Sequence, residues 1–273
     1  MKKVLLALEA STPAPALLEF AAAYCPANDL LVGVFLEDLS YRSYLTFFGE
    51  EYFAFDATLL QQAEQEAARG LQQNIAYCQQ FFQVQQRSFK VHLGQGVPSA
   101  ELVQESLFAD LILVSYNTFF SSVTGNAGML SDVLGQAHCP ILLIPDQHRP
   151  LQALLIAYDG KPNSVFAIRQ FSLLCPNLSH HLPATLLHVR SGTETQPDRN
   201  LMDEYVSVHY PGVRVVERTG IPEKEIVELA HELAPAIVIM GAFGRNALSR
   251  FFTRSTAHQL LQERALPVFI AHH

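Results

Sequence analysis

The sequence has no tryptophan, and only four cysteines and four methionines in 273 residues. Cys25, Cys78, Cys139 and Cys175 are scattered, with no CxxC pair and no Cys/His ligand spacing. That argues against a disulfide framework and a zinc site, and it fits a reducing cytoplasm. Charged residues are only 16% of the chain, and acidic ones outnumber basic ones 26 to 18, for a net charge of −8. A chain of that sign gains nothing from counterion release on a polyanion, so nucleic acid is not expected as a partner. Long apolar runs are missing too, since none approaches the roughly 20 residues of a spanning helix, and no membrane association is expected. The opening Val4-Leu5-Leu6-Ala7-Leu8 meets Glu9 too soon for the roughly 7–15 apolar residues of a signal peptide, and it reads as a buried first strand. No Gly-x-Ser-x-Gly elbow is present. The 11 histidines include no i, i+4 ligand pair with a carboxylate, so no metal is expected.

What the chain does have is an internal repeat. Val4-Leu5-Leu6-Ala7-Leu8-Glu9 returns as Leu154-Leu155-Ile156-Ala157-Tyr158-Asp159, an offset of 150, and Cys25-Pro26 returns as Cys175-Pro176 at the same offset. Gly96-Val97-Pro98-x-x-Glu101 returns as Gly220-Ile221-Pro222-x-x-Glu225, now at an offset of 124. Ala109–Ser115 aligns with Pro235–Gly241, and Cys139-Pro140-Ile141 with Leu266-Pro267-Val268. The shortened offset places an insertion between the second and third strands of the first copy.

Apolar runs lie at 4–8, 30–36, 88–93, 111–115 and 141–145 in copy one, and at 153–158, 184–189, 213–217, 236–240 and 267–271 in copy two. Continuous apolar runs alternating with amphipathic stretches indicate parallel strands covered on both faces. The expected fold is α/β, with two tandem doubly wound five-stranded parallel-sheet domains at 1–146 and 151–273. Pro145-Asp146-Gln147-His148-Arg149-Pro150 is the short link between them. The insertion, residues 39–55, holds Tyr41, Tyr44, Phe47, Phe48, Tyr52, Phe53 and Phe55, too aromatic for a disordered loop; it reads as a lid or packing segment, followed by a Gln-rich helix from Thr58 to about Phe82.

The chemistry-bearing stretch follows the fourth strand of copy two. Gly241 and Gly244 permit close backbone approach, nine residues follow, and Arg254, Ser255 and Thr256 stand where a helix begins. Helix-start N–H groups and hydroxyls suit an anion. Asp159, at the end of the first strand of copy two, offers a hydrogen-bond acceptor to a ribose or adenine. His188 reads as a core residue. Glu223, Glu225, Glu228 and Glu232 read as the solvated face of one helix.

Met240-Gly241-x2-Gly244-x9-Arg254-Ser255 resembles the glycine loop of the universal stress protein family, Gly-x2-Gly-x9-Gly-Ser/Thr. The resemblance covers both copies. It implies an adenine nucleotide, usually ATP, held without dedicated chemistry, so no catalytic residue is assigned. It also implies a pseudo-twofold arrangement in which 141–145 pairs antiparallel with 267–271. Carried over by position, Asp159 would contact the nucleoside, the Val189 backbone the adenine, and Gly241, Gly244, Ser255 and Thr256 the phosphates. Arg254 replaces the motif's third glycine. It either obstructs phosphate approach or supplies a bidentate guanidinium. In copy one, Ser115-Tyr116-Asn117-Thr118 replaces the first glycine stretch and Glu9 replaces Asp159, so that copy reads as non-binding.

Three functions follow from this sequence: a ligand-sensing stress protein, an interaction module that has lost nucleotide binding, and a weak ATP hydrolase. An unidentified protein partner and a homodimer are both compatible with it. Calorimetry of Arg254→Gly with ATP separates the two roles of the arginine: gained affinity marks an obstruction, and lost affinity marks a contact.

Overall fold

The computed structural model describes residues 1–36, 57–94, 96–120, 133–147, 149–190, 199–241 and 266–272. The aromatic insertion at 39–55 lies outside them. All ten apolar runs are strands. The first repeat contributes β1 (Lys3–Glu9), β2 (Leu30–Leu36), β3 (Phe89–Leu93), β4 (Leu111–Ser115) and β5 (Ile141–Ile144). The second contributes β6 (Ala153–Tyr158), β7 (Ala184–Arg190), β8 (Arg214–Thr219), β9 (Ala236–Gly241) and β10 (Val268–Ala271).

They form one sheet in the order β3-β2-β1-β4-β5-β10-β9-β6-β7-β8. Written in repeat order, each half is 3-2-1-4-5, and the second half is the mirror sequence of the first. Every pairing within a half is parallel. The two halves meet at an antiparallel β5–β10 seam, with Ile141 opposite Ile270, Leu142 opposite Phe269 and Leu143 opposite Val268. This is the pairing that the family resemblance implies.

The period of two along each strand sorts the side chains to two faces. On one face Leu5, Ile112, Leu143, Val268, Val238 and Leu155 lie in a single buried cluster that crosses the seam. On the other, Leu6, Leu113, Leu142, Phe269, Ile239 and Ile156 do the same. The first face is covered by α3 (Pro98–Ser106) and α8 (Pro222–Glu232), through Leu102 and through Ile226, Val227, Leu229 and Ala230. The second is covered by α1 (Pro15–Tyr24), α2 (Ala57–Val84), α5 (Pro162–Leu174) and α7 (Arg199–His209). Two short helices complete the described set, α4 (Tyr116–Phe120) and α6 (Pro176–His181). Pro26 follows the end of α1, as a helix stop does. Pro176 instead opens α6, the position where a missing N–H and a fixed φ are favourable.

The repeated Gly-x-Pro-x-x-Glu signature has a steric basis. The proline sits in the first turn of α3 and of α8. The glutamate carboxylate folds back onto the glycine: a Cβ at Gly96 would lie 2.7 Å from Glu101 Oε1, and one at Gly220 2.6 Å from Glu225 Oε1. Glu225 therefore departs from the solvated face expected of it. It receives Arg218 Nη1 at 3.4 Å, while Nη2 of the same guanidinium donates to Glu232 at 2.9 Å.

Side-chain bonds also tie the repeats together. The Leu151 N–H donates to Tyr24 Oη at 2.7 Å, fixing the link to α1. The Lys2 ammonium donates to the Leu174 carbonyl and lies 3.4 Å from Asp29. Phe269 is fully buried at the seam and meets Phe171 of α5 edge-on, with centroids 5.1 Å apart. Truncating it leaves a cavity at the β5–β10 seam that both halves share. Phe269→Ala is expected to lower the unfolding free energy by about 3–5 kcal/mol, read from urea denaturation.

Candidate functional site

In an open parallel sheet the crevice for a ligand lies beyond the carboxyl ends of the strands, where the order reverses. In the second repeat that point falls between β6 and β9. Their ladder ends with Ala157 opposite Met240, so Asp159 and Gly241 both lie just past it. On the other side of β6, Tyr158 pairs with His188, and β7 runs on past β6 through Val189 and Arg190 along β8. Three of the residues singled out from the sequence, Asp159, Val189 and Gly241, thus stand at the ends of three adjacent strands. Gly244, Arg254, Ser255 and Thr256 lie outside the described residues.

Asp159 is half-buried and organises the turn into α5. Its Oδ1 accepts the Lys161 N–H at 3.0 Å, and its Oδ2 lies 3.8 Å from the exposed Lys161 ammonium. Lys161 was not singled out in the sequence, although Asp-Gly-Lys-Pro ahead of an apolar helix is a legible helix-start pattern. It places a cation beside Asp159, past the carboxyl end of β6. His188 is hydrogen-bonded but only partly buried rather than the core residue expected, with Nδ1 3.1 Å from the Tyr158 carbonyl oxygen, because β7 runs on past β6 there.

Gly241 is explained by packing. A Cβ there would lie 2.5 Å from the Asn163 carbonyl carbon and 2.6 Å from the Ser164 nitrogen, both backbone atoms at the start of α5. The glycine lets the first turn of α5 rest on the end of β9. This contact fixes where the chain leaves β9 for residues 242–265.

The first repeat has a different crevice in the equivalent place. It has about 60 Å³ of free volume and is lined by Glu9, Thr12, Ser115, Asn117, Thr118 and Asp146, among others. Among the described residues, two carboxylates and no basic side chain line it, the wrong charge for a polyphosphate. Ser115 Oγ accepts the Thr118 N–H at 3.1 Å and lies 2.8 Å from Thr118 Oγ1, so the chain turns directly into α4. The β1–α1 turn is clamped from behind by α2. The amide of Asn74, almost fully buried, donates to the Glu9, Ala10 and Thr12 carbonyls at 2.9, 3.3 and 3.2 Å. In a Gln-rich helix nothing distinguishes this asparagine by sequence.

No thiol is poised as a nucleophile. Burial, above all, pushes the Cys25 thiol up to about 11 and those of Cys78, Cys139 and Cys175 up to about 12, against an ordinary 9.0. Among the described residues, no group of three or more histidine, cysteine, aspartate or glutamate side chains could hold a metal. No described helix is long and apolar enough to cross a membrane.

Two outcomes follow. Gly241→Ala forces α5 away from β9 and should lower the unfolding free energy by about 1–3 kcal/mol, read by urea denaturation. The thiols should react slowly with a disulfide reagent at pH 8 in the native state and rapidly once unfolded. Because their folded values are raised, unfolding releases these protons above about pH 9, so stability should fall as pH rises past that point.

The universal stress protein family model matches residues 193–272. No curated protein matches the sequence. Among solved structures, a universal stress protein from Archaeoglobus fulgidus DSM 4304 superposes with a TM-score of 0.69 at 16% identity, covering 99% of this chain and 98% of that one. A functionally unknown protein from Pseudomonas aeruginosa PAO1 superposes at 0.53 with 14% identity, covering 100% and 92%. Residues 193–272 thus match the universal stress protein family, and the chain has the fold of a universal stress protein over essentially its whole length.

Proposed function

We propose that the protein is a non-catalytic, cytoplasmic ligand sensor that binds ATP or another adenine nucleotide in its second repeat, while its first repeat serves as a non-binding scaffold. The observation that carries this reading is the convergence of Asp159 and Gly241 at the β6–β9 switch point, with the Lys161 cation beside them. The family match over 193–272 spans the glycine loop as well. Lys161 favours an anionic ligand there, and the acidic lining of the first crevice disfavours one. The four free thiols suit a reducing compartment.

A second reading has its own support. The smallness of Gly241 is accounted for by α5, and Asp159 already has a local partner in Lys161. Both would persist in an interaction module that had lost its nucleotide.

Isothermal calorimetry with ATP and ADP separates the two. The sensor reading expects one site per chain, weakened several-fold by Asp159→Ala, with no sustained phosphate release. Absence of heat at millimolar nucleotide rejects it in favour of the interaction module.

A further inference from the structure

Tyr116 stands where the first repeat lost its glycine loop, directly after β4. Its side chain is 1% exposed. Its hydroxyl donates across the seam to the Leu266 carbonyl, 150 residues away, at 3.1 Å, in a fully buried bond. Leu266 is itself buried and immediately precedes Pro267 and β10. It is therefore the point at which the chain, having left β9 at Gly241, rejoins the sheet.

The departure point and the return point are held by different repeats. Gly241 rests on Asn163 and Ser164, within the second repeat. Leu266 is held by Tyr116, from the first. The contact runs one way. Aligned by the repeat, the counterpart of Tyr116 is Ala242 and that of Leu266 is Cys139, and alanine has no hydroxyl with which to return the bond.

We propose that Tyr116 is a positioning residue for the second repeat's ligand loop, a strut through which the first repeat sets where that loop rejoins the sheet and hence how well the second repeat binds its ligand. The part that concerns affinity rests on the nucleotide reading above; the part that concerns position does not. Burial raises the Tyr116 pKa, with Asp146 contributing, so the hydroxyl stays protonated and remains a donor. A buried carbonyl stripped of its donor opens more readily, and local opening of this kind is read by amide exchange.

The test uses the full chain and two conservative variants. Tyr116→Phe removes the strut hydroxyl. Tyr24→Phe removes another inter-repeat hydroxyl, the one that accepts the Leu151 N–H; Leu151 lines the same small cavity as Leu266, so this control disturbs the neighbourhood without touching the Leu266 carbonyl bond. Without ligand, Tyr116→Phe should speed amide exchange roughly tenfold in the peptide that spans Leu266 to Ala271, with the β1–β2 peptides unchanged. Tyr24→Phe should leave the Leu266 peptide alone. With ATP, Tyr116→Phe should weaken binding about three- to tenfold, and Tyr24→Phe should not. Unchanged exchange at Leu266, or an equal rise throughout the sheet, overturns the strut. Local exchange that rises while ATP affinity holds overturns its bearing on the ligand. If the wild type binds no nucleotide, the nucleotide reading fails, and the exchange measurement still decides whether Tyr116 sets the position of Leu266.

Discussion

The antiparallel pairing of β5 with β10 is the constraint on which the rest of the structure depends. Each half of the sheet would otherwise end in a four-residue, wholly apolar edge strand, Ile141–Ile144 or Val268–Ala271, with unpaired backbone groups. Pairing the two buries both edges and turns two five-stranded sheets into one of ten. Because the seam is antiparallel while each half is parallel, the carboxyl ends of the two halves run in opposite directions. The two crevices are thereby separated, and each is free to acquire its own chemistry. Both hydrophobic clusters cross the seam, so the two faces of the sheet are shared between the repeats.

The chemistry of the crevices has diverged. In the second repeat the carboxylate after the first strand turns back on its own loop and brings Lys161 with it. In the first, the equivalent turn surrenders three backbone carbonyls to Asn74 and faces Asp146 and a row of hydroxyls. Helix α2, 28 residues long where α7 has 11, is the means of that clamp. The described charges at the two places differ: two carboxylates stand together in the first repeat, whereas the carboxylate of the second is paired with an ammonium.

The strands were legible because each is a local pattern. Apolar runs of four to seven residues recur in the same sequence twice, and a doubly wound arrangement follows from their alternation with helices. The seam was legible only through the resemblance to a known family. What stayed hidden were contacts between residues far apart in the chain. Gly241 was singled out for a ligand, but the backbone of Asn163 and Ser164 is what requires it to be small. Glu225 has the spacing of a surface residue, yet it lies against Gly220 and holds Arg218. Asn74 and Tyr116 have partners 65 and 150 residues away, and no periodicity encodes such distances. The nearness of Asp159, Val189 and Gly241 at three adjacent strand ends was therefore legible, and the interactions each makes there less so.

The link at 145–150 has a consequence for inheritance. Were the two halves separate copies of one polypeptide, any substitution would fall on both sides of the twofold at once, and a tyrosine gained in one loop would be gained in the other. Joined in a single reading frame, the halves mutate independently while remaining neighbours. One can change its own loop while keeping residues that bond across the seam. A hydrogen bond such as that from Tyr116 to Leu266, present in one direction only, can be fixed by a single codon change that leaves the other half untouched.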